Sequence, residues 1–149
     1  MPMFHCSPLL GPERRLLDHF YRRQGPRMRT TGDGQPWVAR ASEIVAGLTL
    51  TPVAEGQWLT GLLVAPAWRH RQVASRLVNA SLAAAPGPTW LFCHPDLLPF
   101  YQRLAFVEAG ELPRTLADRL ARYQRAKRLV ALVRAQSALA SSPGNSTSV

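Results

Sequence analysis

The chain has 149 residues, of which 46% are hydrophobic and 18% are charged, and its formal net charge is +9. These values predict one globular domain over residues 1–136, followed by a Ser-rich tail at 137–149 that we expect to be disordered. No apolar run approaches the roughly 20 residues that span a bilayer, no signal peptide is visible, and two cysteines do not make a disulfide framework. Membrane-spanning and disulfide-rich secreted proteins are therefore excluded, and the cytoplasm is the expected location.

The positive charge comes almost entirely from arginine, since Lys127 is the only lysine. A diffuse positive field attracts anions such as nucleic acids, acidic proteins or a polyphosphate cofactor. The alternative is a genomic preference for arginine codons on a solvated surface. The basic residues do not form one tract with interleaved aromatics, so the pattern of a nucleic-acid-binding protein is incomplete. A salt-sensitive nucleic-acid binder is kept as the least favoured function.

The first third of the chain predicts a strand, a helix and two further strands. The helix is expected to begin at Gly11–Glu13, with Pro12 at its first position, and to end at Gly25–Pro26. The predicted strands are Met3–Cys6, Gln35–Ala41 and Glu43–Thr51. The polar loop at 27–36, which is rich in Gly and Thr, is expected to provide contacts to a substrate.

The next segment, 58–64, is apolar at nearly every position, which predicts a central strand that is buried on both faces. Pro66 ends this strand, because proline has no N–H for the ladder and restricts the residue before it. Short links to the two preceding strands predict an antiparallel meander.

A helix is predicted from Arg71 to about Ala85, because the apolar residues from Val73 onward keep helical spacing. Three basic residues, Arg69, His70 and Arg71, then lie at its N-terminus. Unpaired backbone N–H groups and the helix dipole favour an anion at such a place. The two guanidiniums therefore complete a predicted phosphate-binding site.

The remaining predicted strands are Thr89–Cys93, Phe106–Glu111 and Leu129–Val133. A short helix is predicted at Pro95–Leu104, capped by His94 or Asp96. A second helix is predicted at Thr115–Ala126, with a capping box of Thr115 and Asp118. A helix that continues through 129–133 is the alternative for the last strand. Because a helix separates the strands at 58–64 and 89–93, the two are expected to run parallel. The pattern predicts an α/β (α+β) fold with a mixed sheet that helices cover.

The segment at 64–74 resembles the acetyl-CoA-binding motif of the GNAT superfamily of N-acyltransferases. In that family a strand ends in Val-x-Pro, and Arg/Gln-x-x-Gly-x-Gly/Ala then opens a helix. Here "VAP" at Val64–Pro66 matches, and "RHRQVA" at Arg69–Ala74 matches at its first and last positions. Gln72 stands in place of the middle glycine, which in the family lets the backbone come close to a pyrophosphate.

A second match lies in "FYQRLAF" at Phe100–Phe106, which resembles the family signature Tyr-x-x-x-Gly-Phe, with Ala105 in place of the glycine. One helix and one strand separate the two motifs, as in the family, and together the motifs cover roughly residues 58–111. The resemblance implies a GNAT-like, mostly antiparallel sheet of about six to seven strands. Its parallel central pair is splayed, and the pantetheine arm of acetyl-CoA lies in the gap.

The resemblance also implies the residues that bind acetyl-CoA. Backbone groups near Leu62, Leu63 and Val64 would hydrogen-bond the pantetheine arm as an added strand does. The backbone N–H groups of the following loop would hold the pyrophosphate. Its residues are Arg69, His70, Arg71, Gln72, Val73 and Ala74. The implied reaction is N-acetyl transfer, in which a primary amine attacks the thioester directly in a ternary complex.

Tyr101 occupies the position of the family's usual acid, which gives a proton to the departing thiolate. A phenol suits this role because it is protonated at neutral pH and can still release a proton. The alternative is a core tyrosine on a short helix.

A base for the amine is less clearly indicated, because the strands at 58–64 and 89–93 hold none of the glutamates that many relatives have there. His94 is the nearest candidate, since an imidazole titrates near neutral pH. It stands where the family often has an asparagine that contacts the cofactor, so a base, a cofactor contact and a helix cap all remain open. Glu43, at the head of a strand, is the weaker candidate.

The sequence also allows a metal site, a non-catalytic function and a homodimer to be considered. His5–Cys6 and Cys93–His94 supply four zinc-compatible side chains, but adjacent residues of a strand point to opposite faces, so no metal site is predicted. A GNAT-like domain that binds an acyl-CoA without turnover, or serves as an interaction domain, is the alternative function. A homodimer through an exposed strand edge is a further expectation.

Overall fold

A computed structural model describes residues 3–25 and 33–135 of the protein. These residues form a seven-stranded mixed sheet with the strand order β1-β2-β3-β4-β5-β7-β6, in which β4 and β5 run parallel, and four α-helices flank it. The α/β fold class expected from the sequence is therefore confirmed. Within the described ranges, no helix is long and apolar enough to cross a membrane.

The strands are β1 His5–Pro8, β2 Gln35–Arg40, β3 Ile44–Val53, β4 Gly56–Val64, β5 Thr89–Cys93, β6 Val107–Glu108 and β7 Val130–Arg134. The helices are α1 Arg14–Gln24, α2 Val73–Ala83, α3 Leu98–Gln102 and α4 Arg114–Tyr123. Single 3-10 turns at Gly11–Glu13, Pro66–Trp68 and Pro95–Leu97 precede α1, α2 and α3. Each 3-10 turn has a proline in its first two positions, where the missing N–H costs nothing.

The described residues form two compact units, and the first comprises residues 3–25, 33–52 and 58–85. Here β1, β2 and β3 pair antiparallel, and α2 packs against β1 and β2. The helix α1 buries Leu17, Phe20 and Tyr21 in a cluster with Leu9 and Val38. These five apolar side chains fix α1 on the sheet through the hydrophobic effect.

The described part of the second unit comprises residues 53–57 and 86–135. Its β7 lies between β5 and β6 and pairs antiparallel with both. Gln57 joins the start of β4 to the chain before β5, because its N–H donates to the carbonyl of Pro88 at 3.0 Å and its Nε2 donates to Thr89 Oγ1 at 2.9 Å. The side chain of Gln57 is buried, so these bonds satisfy polar groups away from water.

Most predicted elements are present, with boundaries shifted by a few residues. The first strand lies at His5–Pro8 rather than Met3–Cys6, and α2 runs from Val73 to Ala83 rather than from Arg71 to about Ala85. The last segment is the predicted strand, and the alternative of a continuous helix is wrong. Pro26, residues 27–32 of the predicted loop and the tail at 137–149 lie outside the described residues. The boundary of a single domain at 1–136 stays a prediction.

Two predictions for the second unit are wrong. The strand expected at 106–111 contains only Val107 and Glu108, and a bend at Gly110 follows it. The capping box is absent because Pro113 occupies the N-cap of α4 and no side chain caps this helix. The carbonyl of Pro113 instead accepts hydrogen bonds from the first turn of the helix.

Candidate active site

The strand β4 changes character along its length. Residues 56–59 are buried, whereas residues 60–64 are only half-buried. The expectation that 58–64 is buried on both faces is therefore wrong for its second half. That half contains Leu62, Leu63 and Val64, the residues expected to contact a pantetheine arm, and all three are half-buried.

Gly61 marks the point at which β4 changes. Its φ of +71° lies in the left-handed region, inside a strand that continues to Val64. The buried hydroxyl of Tyr21 donates a hydrogen bond of 2.7 Å to the Gly61 carbonyl. A Cβ at this position would lie 2.6 Å from that hydroxyl, so the site requires glycine. This pair was not predicted from the sequence, although a glycine inside an apolar strand is a known signal of close backbone approach.

The loop between β4 and α2 has two residues with a left-handed backbone, His70 at φ +64° and Gln72 at φ +63°. They flank Arg71, whose φ is not positive. Such alternation turns successive N–H groups towards one side and forms a concave anion-binding nest. Gln72 therefore adopts the backbone conformation for which the family motif uses glycine. The left-handed His70 was not anticipated from the sequence.

The first turn of α2 continues this donor surface. The first intrahelical bond runs from the N–H of Arg76 to the carbonyl of Gln72 at 3.1 Å, so the N–H groups of the three residues 73–75 have no partner within the helix. Gln72 is the N-cap, but its side chain makes no cap hydrogen bond, and the first turn contains no acidic residue. Both features favour a bound anion at this helix end.

The arginine side chains of the loop are held by their neighbours. Arg69 Nε donates to the carbonyl of Val64 at 3.1 Å, which uses one of its five donors and ties the loop to β4. The guanidinium of Arg71 lies 5.9 Å from the ring centroid of Trp68. Cation–π contact at this distance orients the charge without neutralising it. The structure thus places Arg69–Ala74 next to the end of β4, as expected.

Tyr101 lies on α3 in the second unit and is 9% exposed. Its ring makes edge contacts with Phe100 and Phe106, at centroid distances of 5.0 and 5.9 Å. Burial, and to a lesser degree the neighbouring Cys93, raises the pKa of Tyr101 to about 12. The phenol is therefore protonated at neutral pH. Its hydroxyl donates no hydrogen bond to another described residue, so its proton is available to a ligand.

His94 caps the turn that leads into α3. Its Nδ1 accepts a hydrogen bond of 3.1 Å from the N–H of Asp96 and lies 3.5 Å from Asp96 Oδ2. The cap that the sequence offered as one interpretation is therefore present. While that bond holds, the neutral ring carries its proton on Nε2. The side chain of His94 is 44% exposed, so it can exchange protons with solvent.

The other candidates have local roles. Glu43 lies in the turn between β2 and β3, where its Oε1 accepts a hydrogen bond of 3.2 Å from Arg23 Nη1. Burial raises the pKa values of Cys6 and Cys93, which keeps both thiols protonated at neutral pH. No three His, Cys, Asp or Glu side chains within 3–25 and 33–135 form a group that could hold a metal ion.

A family model described as "Acetyltransferase (GNAT) domain" matches residues 32–108, which is more than half of the chain. The chain therefore belongs to the GNAT acetyltransferase family. The match spans both the loop at 69–74 and the segment that contains Tyr101. No curated protein sequence matches the chain significantly.

Solved structures with the same fold are more distant in sequence. Escherichia coli ElaA is 18% identical with a TM-score of 0.64, and the match covers 89% of this chain and 99% of that one. The ribosomal-protein-S18-alanine N-acetyltransferase from Escherichia coli is 13% identical with a TM-score of 0.66, with coverages of 89% and 94%. The GNAT family N-acetyltransferase YhbS of Escherichia coli, solved in complex with CoA, is 14% identical with a TM-score of 0.63, with coverages of 91% and 82%. At these identities the likeness shows the fold alone.

Proposed function

We propose that the protein is an N-acetyltransferase that moves an acetyl group from acetyl-CoA to a primary amine by direct attack in a ternary complex. The observation that carries the proposal is the continuous set of backbone donors formed by the left-handed His70 and Gln72 and by the uncapped start of α2. A pyrophosphate is the anion that such a nest and helix end suit. The CoA-bound relatives in the same family support the choice of cofactor.

In this proposal the N–H groups of Arg69, His70, Arg71, Gln72, Val73 and Ala74 hold the pyrophosphate of acetyl-CoA. The half-buried Leu62, Leu63 and Val64 pair with the pantetheine arm through their backbone groups. The carbonyl of Val64 already accepts from Arg69 Nε, and its second lone pair is available to the arm.

Tyr101 is the proposed acid. In the reaction a nitrogen–carbon bond forms, the carbon–sulfur bond breaks, one proton leaves the nitrogen and one reaches the sulfur. A phenol with a pKa of about 12 remains protonated at working pH. A thiol has a pKa near 8.5, so complete transfer to the thiolate is uphill by roughly 5 kcal/mol. Tyr101 therefore acts chiefly by donating a hydrogen bond as charge develops on sulfur.

His94 is the proposed acceptor of the amine proton. Because the Asp96 N–H occupies its Nδ1, proton uptake requires this bond to break. The protonated ring can then donate from Nδ1 to the Asp96 carboxylate, which already lies 3.5 Å away. The exposure of the side chain would let the proton pass on to solvent.

The acceptor is proposed to be an amine on a small molecule or a protein. Because the chain carries a net charge of +9, a neutral or acidic amine suits it better than a polyamine. A cytoplasmic site of action is proposed as well, since neither free cysteine is paired. Homodimerisation stays a prediction.

Isothermal titration of the full chain with acetyl-CoA and CoA tests the proposal first. We expect micromolar binding that weakens about tenfold in Arg71→Ala, with Arg114→Ala as a control arginine on α4. Turnover of an amine library should follow binding. Absence of CoA binding by the folded protein would contradict the proposed function, and binding without any turnover would favour an acyl-CoA-binding domain.

A further inference from the structure

A cavity of about 240 Å³ lies in the first unit, between α1 and the turn that joins β2 to β3, and it is open to solvent. Its apolar walls are Leu16, Phe20 and Ile44. Phe20 is buried, Ile44 is half-buried, and Leu16 is 37% exposed. The cavity therefore presents an apolar surface to water, which a ligand with an apolar body would cover favourably.

Charged side chains surround this apolar surface. Arg23 and Glu43 lie on opposite walls and form an ion pair of 3.2 Å between Nη1 and Oε1, so each compensates the other. Arg40, the last residue of β2, also lines the cavity. It forms no ion pair and no side-chain hydrogen bond with any residue in the described ranges. Arg40 is therefore the uncompensated charge of the cavity.

The combination of an apolar surface and a single uncompensated guanidinium selects a class of ligand. Arginine binds carboxylates through two parallel N–H donors, whereas its positive charge repels protonated amines. The volume lies below the usual range of small-molecule pockets, so the ligand is small. We propose that this cavity is a binding site for a small organic carboxylate with an apolar chain, and that Arg40 is the residue that binds the carboxylate.

This site is independent of acyl transfer, because none of its lining residues belongs to the loop or to β4. Binding is therefore measured without acetyl-CoA. Failure of CoA to bind would overturn the proposed function but leave this site unaffected.

The test is an NMR titration of the full chain with three six-carbon probes that differ only in their polar group: hexanoate, hexan-1-ol and hexylamine. Hexanoate should bind with a Kd on the order of a millimolar. Hexan-1-ol should bind about tenfold more weakly, and hexylamine should not bind measurably. The amide signals that shift should be those of α1 and of residues 40–44.

Variants assign the charge preference to one residue. Arg40→Gln should remove the advantage of hexanoate over hexan-1-ol and leave hexan-1-ol binding unchanged, which also shows that the cavity remains folded. Arg22→Gln is the matched control, because Arg22 lies on α1 but does not line the cavity. Equal binding of the three probes, no binding of hexanoate, or an unchanged preference in Arg40→Gln would overturn the proposal.

Discussion

The two motif segments of this protein handle a missing glycine in the same way but in different surroundings. Gln72 and Ala105 stand where the family motifs have glycine, and both adopt a left-handed backbone, with φ of +63° and +70°. Residues 69–72 around Gln72 are exposed. Around Ala105, the side chains of Tyr101, Leu104 and Phe106 are buried.

This difference indicates what each segment requires. In the loop, the conformation of the backbone determines where the N–H donors point, so a left-handed residue is needed whatever its side chain. In the second segment, the left-handed turn lets the N–H of Phe106 bond to the carbonyl of Tyr101 at 3.1 Å, which closes the end of α3. The first segment is therefore organised for binding and the second for rigid placement of a tyrosine.

The largest expected effect is that of Tyr101→Phe, which tests whether the second segment serves chemistry or packing. Removing the hydroxyl should lower kcat by about 10² to 10⁴, the usual contribution of a positioned acid. Binding of CoA should stay within a factor of about two, because the ring contacts with Phe100 and Phe106 remain. Unchanged turnover in Tyr101→Phe would show that Tyr101 contributes to packing and not to the reaction. Steady-state kinetics and calorimetric titration provide both values.

His94→Asn separates proton transfer from capping at the start of the same segment. Asparagine caps helices well, so the free energy of unfolding should change by less than about 0.5 kcal/mol. A loss of kcat of about 10² is expected if the imidazole accepts the amine proton. His94→Ala, which also loses the cap bond to Asp96, is the comparison variant. Full activity of His94→Asn would show that His94 serves only as a helix cap.

Gly61→Ala tests the left-handed residue inside β4. The new Cβ would meet the Tyr21 hydroxyl at 2.6 Å in a left-handed conformation, which should lower the free energy of unfolding by about 2–4 kcal/mol. Gly110→Ala is the control, because its Cβ would meet nothing within 4 Å. Chemical denaturation measures both variants.

A double-mutant cycle attributes this loss to one contact. In a Tyr21→Phe background the nearest atom to the new Cβ is no longer the hydroxyl, so Gly61→Ala should cost less than in the wild type. Strictly additive effects of the two changes would show that the hydroxyl is not the source of the strain.

The burial of Tyr101 also predicts a dependence of stability on pH. The unfolded phenol has a pKa near 10, and the folded one has a pKa of about 12. Below pH 10 the phenol is protonated in both the folded and the unfolded state, so it causes no change in the free energy of unfolding. Between pH 10 and 12 only the unfolded state releases the proton, so the free energy of unfolding falls. The free energy of unfolding of the wild type, measured relative to that of Tyr101→Phe, should therefore fall by about 2–3 kcal/mol from pH 9 to pH 12.

The control for this pH series is Tyr123→Phe, since Tyr123 is 41% exposed on α4. Its stability should follow that of the wild type across the series. A constant difference between wild type and Tyr101→Phe from pH 9 to pH 12 would contradict the raised pKa. Urea denaturation at each pH provides the free energies.

The smallest expected effects come from restoring the two glycines. Gln72→Gly and Ala105→Gly should each raise the free energy of unfolding by up to about 1 kcal/mol, because glycine adopts the left-handed region without strain. Only Gln72→Gly should also change CoA affinity, with a several-fold gain, since its side chain lies beside the donor nest. A gain in affinity from both variants, or from neither, would remove the contrast between the two segments.

The sequence by itself determined the order of the strand, loop and helix along this part of the chain. The apolar run before Pro66, the helical spacing after Val73 and the two motifs predicted the strand, loop and helix and the family. These signals are local, because each depends on residues a few positions apart. The family match over residues 32–108 confirms the family that they implied.

The tertiary structure decided features that depend on distant residues. Tyr21 and Gly61 are 40 positions apart, and their hydrogen bond lies within the half-buried second half of β4. The cavity beside Arg40 exists only because α1 packs against the turn between β2 and β3. Likewise, β7 pairs with both β5 and β6, although 36 residues separate it from β5 and 21 from β6. No local pattern encodes such contacts, since they arise when whole elements bury their apolar faces together.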